Sequence, residues 1–180
     1  MSKCPRCRLP AQNAVSWCGC GYRFDISIGV KLWRIDENLY QGNLLGAQND
    51  ELLRQFGIQV VISILTRRQA ALRQLVDWHP GASSVESHMV FDLHDNANPA
   101  QINGWENCLD AITETVRTGR RTLVHCTQGV SRSGIAAVLV YARLHDLKPD
   151  EAIARINGKY RVVGGWNPKL FSFLCEELSL

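Results

Sequence analysis

Long apolar runs are missing from this sequence of 180 residues, and so are internal repeats and low-complexity tracts. No window reaches the roughly 18 consecutive apolar residues of a membrane span. Residues 1–4 do not resemble the start of a signal peptide. Hydrophobic residues make up 46% and charged residues 21%, which excludes a disordered chain because a sizeable core can be buried. We therefore expect a soluble, cytoplasmic protein that makes no use of a membrane.

A strong charge of one sign is also lacking. The formal net charge is only +3, which is too small to argue for nucleic acid as a partner. Residues 1–34 hold six basic residues and one acidic residue, a net of +5. This bias suggests a surface for a docking partner, although a plain stability module with a solvated basic surface accounts for it equally well.

The seven cysteines are unevenly placed, and four of them crowd the first 20 residues. Cys4, Cys7, Cys18 and Cys20 form two close pairs, which favours a metal site over a disulfide framework. The layout resembles a zinc ribbon, although its second pair is Cys-x-Cys instead of the commoner Cys-x2-Cys. Four thiolates suit tetrahedral Zn²⁺ and leave no open position, so we expect a structural zinc ion. Iron, or cysteines that are free or disulfide-linked, are the alternatives.

The chain divides into a ribbon-like segment, 1–26, and a larger domain, 27–180. Strand patterns are predicted at 33–35, 38–40, 58–65, 87–93 and 121–125. Helix patterns are predicted at 48–56, 67–76, 101–118, 132–145, from 149 or 150 onward, and 168–178. Strands that alternate with helices indicate an α/β domain with a mostly parallel central sheet.

The stretch from Val124 to Gly134 carries the most chemical information. Cys126 ends a predicted strand, and Arg132 opens a helix after an intervening loop that contains Gly129. Backbone N–H groups in such a loop, together with the helix N-terminus, form an anion site. Arg132 has the geometry to hold two phosphoryl oxygens, and the same positive field favours the thiolate of Cys126 as a nucleophile.

The motif His125-Cys126-x2-Gly129-x-Ser131-Arg132-Ser133 resembles the signature loop of cysteine-dependent protein phosphatases in their dual-specificity form. A second segment, which runs from Arg34 to Ile62, is similar to the opening strands and first helix of that family. The resemblance covers about residues 32–178 and implies a twisted sheet with helices on both faces. It also implies that Cys126 attacks phosphorus and Arg132 holds the phosphoryl group. In the same scheme Ser133 helps the thiolate to leave, and no catalytic metal is needed.

The family also uses an aspartate that lies about thirty residues before the nucleophile, on a loop after a strand. Asp95 and Asp92 both fit this distance. Asp95 falls past the carboxyl end of the predicted strand, where the site should lie, whereas Asp92 falls within the strand. We therefore predict Asp95 as the general acid, with Asp92 as the alternative.

The expected substrate is a phosphorylated protein, bound by the loop residues Thr127, Gln128, Gly129, Val130, Ser131 and Arg132. Loop positions 127, 128 and 130 carry no charge, which argues against a phosphoinositide with several phosphates. The alternatives are a phosphatase of phosphoinositides, RNA 5′-phosphates or phosphorylated glucans, a module that binds phosphate without hydrolysis, and a sulfur transferase or arsenate reductase.

Three further residues near this motif or on helices have expected structural roles. His125 should lie beneath the loop and fix its shape by hydrogen bonding. Cys108 and Cys175 fall on predicted helices and are expected to be packing residues, although a redox partnership with Cys126 stays open.

Overall fold

The computed structural model describes residues 30–72, 84–160 and 166–179. In chain order the elements are β1 (Leu32–Arg34), β2 (Leu39–Asn43), α1 (Leu44–Ala47), α2 (Asp50–Phe56), β3 (Val60–Leu65), α3 (Arg67–Leu72), β4 (Ser87–Asp92), α4 (Ile102–Arg117), β5 (Thr122–Cys126), α5 (Arg132–His145), α6 (Pro149–Tyr160) and α7 (Pro168–Glu177). A short 3₁₀ turn, Pro99–Gln101, leads into α4.

The strands form one mixed sheet in the order β1-β2-β5-β3-β4. Only the edge pair β1 and β2 is antiparallel; the other neighbouring strands run parallel, which confirms the α/β prediction. Cys126 lies opposite Asn43, and Leu65 lies opposite Asp92. The carboxyl ends of β2, β5, β3 and β4 therefore meet at one edge of the sheet, where open α/β sheets bind ligands.

Helices cover both faces of the sheet, and the side chains of β3 show why. Val60, Ile62 and Ile64 alternate with Val61 along a strand that is buried throughout. The first three pack in the main core with residues of α4, α5, α6 and α7. Val61 packs in a second cluster, with Ala47 of α1 among its members.

The helix predicted over 48–56 begins two residues later, as α2, and the short helix α1 that precedes it was not predicted. The side chain of Asn43 accepts a hydrogen bond from the Gly46 amide at 2.9 Å, which begins α1. The side chain of Asn49 accepts from the Leu52 amide at 2.9 Å and begins α2. Asparagine is a favoured N-cap residue for this reason.

The strand predicted from residue 58 begins two residues later, at Val60. Gly57 adopts the left-handed conformation (φ 62°) at the end of α2. The Ile58 amide then donates to the Leu53 carbonyl at 2.9 Å, so Ile58 belongs to the helix cap and not to the strand.

The other element boundaries differ from prediction by a few residues, as is usual for frayed ends.

Several sequence predictions fall outside the described residues. They are the ribbon cysteines Cys4, Cys7, Cys18 and Cys20, and the end of the helix predicted over 67–76. Within the described ranges, no helix is both long and apolar enough to cross a bilayer.

Candidate active site

Cys126 is the last residue of β5, between β2 and β3, and only 3% of its surface is exposed. Its strand is buried along its whole length, and Cys126 pairs with Asn43 of β2 while the preceding residue, His125, also pairs with Ser63 of β3. The loop 127–131 follows and leads directly into α5. The strand–loop–helix arrangement predicted for this segment is confirmed.

Gly129 gives the loop its shape. It adopts a φ of 67°, and a Cβ atom there would lie 2.6 Å from the Gly42 carbonyl oxygen and 2.8 Å from the Asn43 amide. Only glycine fits such a position without moving backbone. The Gln41 side chain donates to the Gly129 carbonyl at 3.1 Å, so β2 holds the loop by contact and by hydrogen bond.

The loop presents unused donors. Among the described residues, the backbone N–H groups of Gln128, Gly129 and Val130 have no hydrogen-bond partner. The Gly129 and Thr127 carbonyls, by contrast, accept from Gln41 and from the Leu44 amide. These two carbonyls are hydrogen-bonded to β2 and α1, while the three N–H groups remain available. The loop can therefore bind an anion through its N–H groups.

Arg132 begins α5 and is 6% exposed. Its Nη1 donates to the Gln69 Oε1 atom at 2.9 Å and to the Leu93 carbonyl at 3.0 Å. Both acceptors are neutral, so the guanidinium is fixed in place, and no carboxylate among the described residues forms an ion pair with it. Such a group binds a phosphoryl dianion well.

Ser133 lies one residue further along α5 and is fully buried. Its hydroxyl is 3.3 Å from the Cys126 sulfur, a distance at which it can donate a hydrogen bond to a thiolate. The structure therefore brings Ser133 to the atom on which the family resemblance had placed its role.

Asp95 is hydrogen-bonded to the loop, whereas the described residues show no hydrogen bond between the Asp92 carboxylate and the loop. The Ser131 hydroxyl donates to the Asp95 carboxylate at 2.5 Å. The Asp92 carboxylate instead accepts from the Arg67 amide at 2.7 Å. Of the two candidate acids, the structure places only Asp95 against the loop that follows Cys126.

Asn167 joins the Asp95 segment to the loop. Its side-chain nitrogen donates to the Asp95 carbonyl at 2.8 Å, and its backbone N–H donates to the Ser131 hydroxyl at 2.9 Å. Its side-chain oxygen accepts from the Lys169 and Leu170 amides and so caps α7. One residue thus fixes a helix, the acid-bearing segment and the loop.

His125 is fully buried beneath the loop. Its Nε2 is 2.5 Å from the Ser63 hydroxyl, which also lies 2.7 Å from the His88 Nε2, and its Nδ1 is 3.4 Å from the Cys126 carbonyl. Burial is the largest cause that lowers the pKa of His125, from 6.5 to about 3, and His88 and Arg132 lower it further. His125 is therefore neutral at physiological pH, and its ring serves as a hydrogen-bonding support.

The other described cysteines lie in the core or partly within it. Cys108 packs fully buried in α4, and burial raises the pKa of its thiol. Cys175 in α7 is half-buried, and burial is again the first cause that raises its pKa. Both thiols are disfavoured as thiolates, which agrees with packing roles. In the part of the chain that the structure describes, no cluster of three or more metal-ligating side chains occurs.

Sequence reasoning missed Gln41, Gln69 and Asn167. Two of them carry a local signal. Thr66-Arg67-Arg68-Gln69 has the spacing of a capping box, and Asn167-Pro168 has the N-cap residue and proline that begin a helix. Gln41 lies within a strand and carries no such signal.

Solved structures share this architecture. A human tyrosine phosphatase-like serine/threonine/tyrosine-interacting protein aligns with a TM-score of 0.66 at 22% identity, over 82% of this chain and 95% of that one. A mouse putative dual specificity phosphatase, solved with zinc tungstate, aligns with a TM-score of 0.66 at 23% identity, over 85% and 89% of the two chains. The fold is therefore the α/β phosphatase fold of the dual-specificity phosphatases.

Sequence comparison gives the family. Residues 37–153 match the family described as cyclin-dependent kinase inhibitor 3 (CDKN3), a range that covers β2 to β5, the loop and α5. The chain belongs to this family. The mouse cyclin-dependent kinase inhibitor 3 is 28% identical over 147 residues, which cover 74% of this chain and 68% of that protein.

Two further relatives are dual-specificity phosphatases. Dual specificity protein phosphatase 1 of Arabidopsis thaliana is 25% identical over 125 residues, and MPK-4 of Drosophila melanogaster is 29% identical over 134 residues. The alignments cover 69% and 74% of this chain. The chain spans 58% of the length of the first relative and 33% of the second.

Proposed function

We propose that this chain is a cysteine-dependent phosphomonoesterase that removes phosphate from phosphotyrosine and phosphoserine or phosphothreonine of proteins. One observation carries the proposal: a single loop joins the Cys126 sulfur to Arg132, and its Ser131 hydroxyl holds the Asp95 carboxylate. A nucleophile, a phosphate-binding cation and an acid thus belong to one site. The names of the relatives, which are protein phosphatases, support the same class of substrate.

The proposed reaction has two steps. In the first, the Cys126 thiolate forms a sulfur–phosphorus bond while the phosphorus–oxygen bond of the ester breaks. Asp95 gives its proton to the departing oxygen, so the alcohol or phenol leaves neutral. Arg132 and the loop N–H groups stabilise the charge on the phosphoryl oxygens.

In the second step, water attacks the phosphocysteine. The Asp95 carboxylate takes a proton from that water, the sulfur–phosphorus bond breaks, and inorganic phosphate forms. Ser133 lies 3.3 Å from the sulfur and donates a hydrogen bond to the thiolate as it leaves. Each residue returns to its starting state at the end of the cycle.

A panel of phosphorylated compounds tests this proposal. Purified protein and its Cys126→Ser variant are assayed with an aryl phosphate, phosphotyrosine and phosphothreonine peptides, a phosphoinositide, an RNA 5′-phosphate and a phosphorylated glucan. We expect wild-type protein to hydrolyse the aryl phosphate and the peptides, and the variant to hydrolyse none. Turnover of only a non-protein substrate would reject the proposed substrate class.

A phosphate-binding module without hydrolysis is the second candidate. One solved neighbour is named as phosphatase-like and as an interacting protein, which makes this candidate specific. Such a module needs neither a nucleophile nor an acid, whereas this chain has Cys126 and Asp95 at one loop. Binding of phosphopeptides without any turnover of the aryl phosphate would favour the module.

We also propose that Cys4, Cys7, Cys18 and Cys20 bind one structural Zn²⁺ in a ribbon over 1–26, before a phosphatase domain over 27–180. Their spacing supports this, because four thiolates satisfy a tetrahedral ion. Elemental analysis should find about one zinc per chain and none after Cys4→Ser and Cys7→Ser together. Full zinc content in that double variant would reject the ligand set. A docking role for the basic ribbon and a cytoplasmic location stay predictions.

A further inference from the structure

The side chain that holds Arg132 has no role in the proposed mechanism. Gln69 accepts from the Arg132 Nη1 at 2.9 Å, and the Leu93 carbonyl accepts from the same nitrogen at 3.0 Å. We propose that Gln69 is a positioning residue, whose neutral amide oxygen orients Arg132 for the phosphoryl group without cancelling its charge. This inference rests on the proposed function.

The Gln69 amide is itself fixed by its own helix. The Gln69 backbone N–H donates to the Thr66 hydroxyl at 3.2 Å, and the Thr66 backbone N–H donates to the Gln69 Oε1 at 3.1 Å. These reciprocal bonds form a capping box at the start of α3. The same Oε1 accepts from Arg132, since a carbonyl oxygen has two lone pairs. The capping box therefore sets where the acceptor for Arg132 lies.

The guanidinium of Arg132 uses one nitrogen for contacts with the protein and leaves the other two for a ligand. Both hydrogens of Nη1 are directed to the protein, at Gln69 and Leu93. Within the described residues, Nε and Nη2 have no hydrogen-bond partner. These two nitrogens form the edge of the fork that matches two phosphoryl oxygens. Gln69 thus decides which edge faces the substrate.

The neutrality of Gln69 has a separate effect. A carboxylate at this position would form an ion pair with Arg132, which is itself only 6% exposed. The guanidinium would then be partly neutralised before phosphate arrives, and the carboxylate would repel the dianion. An amide gives the same geometry and leaves the full positive charge for the substrate.

Two substitutions separate geometry from charge. Gln69→Met has a similar length but no acceptor, and we expect kcat/KM on an aryl phosphate to fall about ten- to a hundredfold. Gln69→Glu keeps the capping box and the acceptor. It should mainly raise KM and weaken vanadate binding by about tenfold or more, with a smaller change in kcat. Gln59→Met is the matched control. Gln59 precedes β3, whereas Gln69 follows that strand, so the Gln59→Met variant should keep wild-type activity.

A double-mutant cycle with Arg132→Lys tests whether Gln69 acts through Arg132. Lysine offers a compact point charge in place of the fork, so Gln69→Met should cost less than about threefold in that background. A cost equal to that in wild type would mean a general structural effect and would overturn the proposal. Unchanged kinetics in both Gln69 variants would overturn it too.

Failure of the Gln69 inference can be distinguished from failure of the proposed phosphatase function. If wild-type protein hydrolyses the aryl phosphate and only the Gln69 effects are missing, this inference alone fails. If wild type shows no turnover, the proposed function fails, and vanadate binding by wild type and Gln69→Glu still tests the positioning. Equal vanadate affinity of the two proteins would then reject the role of Gln69.

Discussion

The Ser131 hydroxyl donates to the Asp95 carboxylate at 2.5 Å and accepts from the Asn167 backbone N–H at 2.9 Å. One hydroxyl thus connects the phosphate-binding loop to the segment after β4 and to the start of α7. The position of Asp95 therefore depends on residues that are distant in the sequence. The hydrogen bond to Ser131 distinguishes Asp95 from Asp92, whose carboxylate accepts from the Arg67 backbone N–H.

The first prediction concerns the acid. Asp95→Asn removes the proton that the leaving oxygen needs, so kcat on a phosphopeptide should fall by about 10²–10⁴-fold. Asp92→Asn is the matched control, three residues away, and should stay within a few fold of wild type. Steady-state kinetics of the two variants decide the assignment. Loss of activity in Asp92→Asn alone would exchange the two roles.

The second prediction concerns the nucleophile. Cys126→Ser should abolish turnover, because a serine hydroxyl is far less ionised than a thiol at neutral pH. Cys175→Ser, at a half-buried cysteine of α7, should keep wild-type kcat. Rapid quenching of wild type with a ³²P-labelled substrate should trap a phosphoprotein that Cys126→Ser lacks. Label in both proteins would place the intermediate on another residue.

The third prediction concerns the shape of the loop. In Gly129→Ala, the new Cβ would meet the Gly42 carbonyl at 2.6 Å, so the loop must move and activity should be lost. Gly119 offers a control because its φ is also positive, at 79°, but its Cβ would meet nothing within 4 Å. Gly119→Ala should cost about 1 kcal/mol of stability and no activity. Equal activity of both variants would show that the contact is unimportant.

The fourth prediction concerns Asn167. In Asn167→Asp the side chain still caps α7, but it no longer donates to the Asp95 carbonyl. We expect kcat to fall about tenfold, while the unfolding free energy changes by less than about 0.5 kcal/mol. Asn49→Asp makes the same change at the cap of α2 and should leave kcat unaltered. Unchanged kcat in Asn167→Asp would show that the hydrogen bond to the Asp95 carbonyl does not position the acid.

The fifth prediction concerns pH. The folded-state pKa of His125 is lowered from 6.5 to about 3, so the unfolded chain binds a proton that the folded chain does not between those values. Stability therefore falls as the pH drops through this window, by up to about 1.4 kcal/mol per pH unit. Denaturant unfolding from about pH 6.5 to about pH 4.5 should show a shallower dependence in His125→Gln. Parallel curves for the two proteins would contradict this.

The central part of the site could be predicted from the sequence because it is local. Cys126, the loop and Arg132 occupy one continuous stretch, and strand and helix patterns on either side fix their direction. The β-branched run of β3 likewise predicted a buried parallel strand. In each case neighbours along the chain carried the information.

The supporting contacts could not be predicted in the same way. Gln69 and Arg132 are 63 residues apart, and Asn167 and Asp95 are 72 apart. Their pairing follows from the strand order, which places β3 beside β5 and β4 beside β3, so the segments after these parallel strands end at the same edge of the sheet. The short helix α1 was missed for another reason: its four residues are too few to show an apolar periodicity, and only the Asn43 cap marks its start.

The neutrality of His125 sets this nucleophile apart from that of thiol proteases, in which an imidazolium beside the sulfur carries the countercharge. In the proposed mechanism the countercharge comes from Arg132 and the loop dipoles, which are also the groups proposed to bind phosphate. The sulfur anion and an incoming dianion therefore compete for one set of donors. A monoanionic ester would meet less repulsion on approach, so the loss of this form as the pH rises should help to set the alkaline limb of the rate profile.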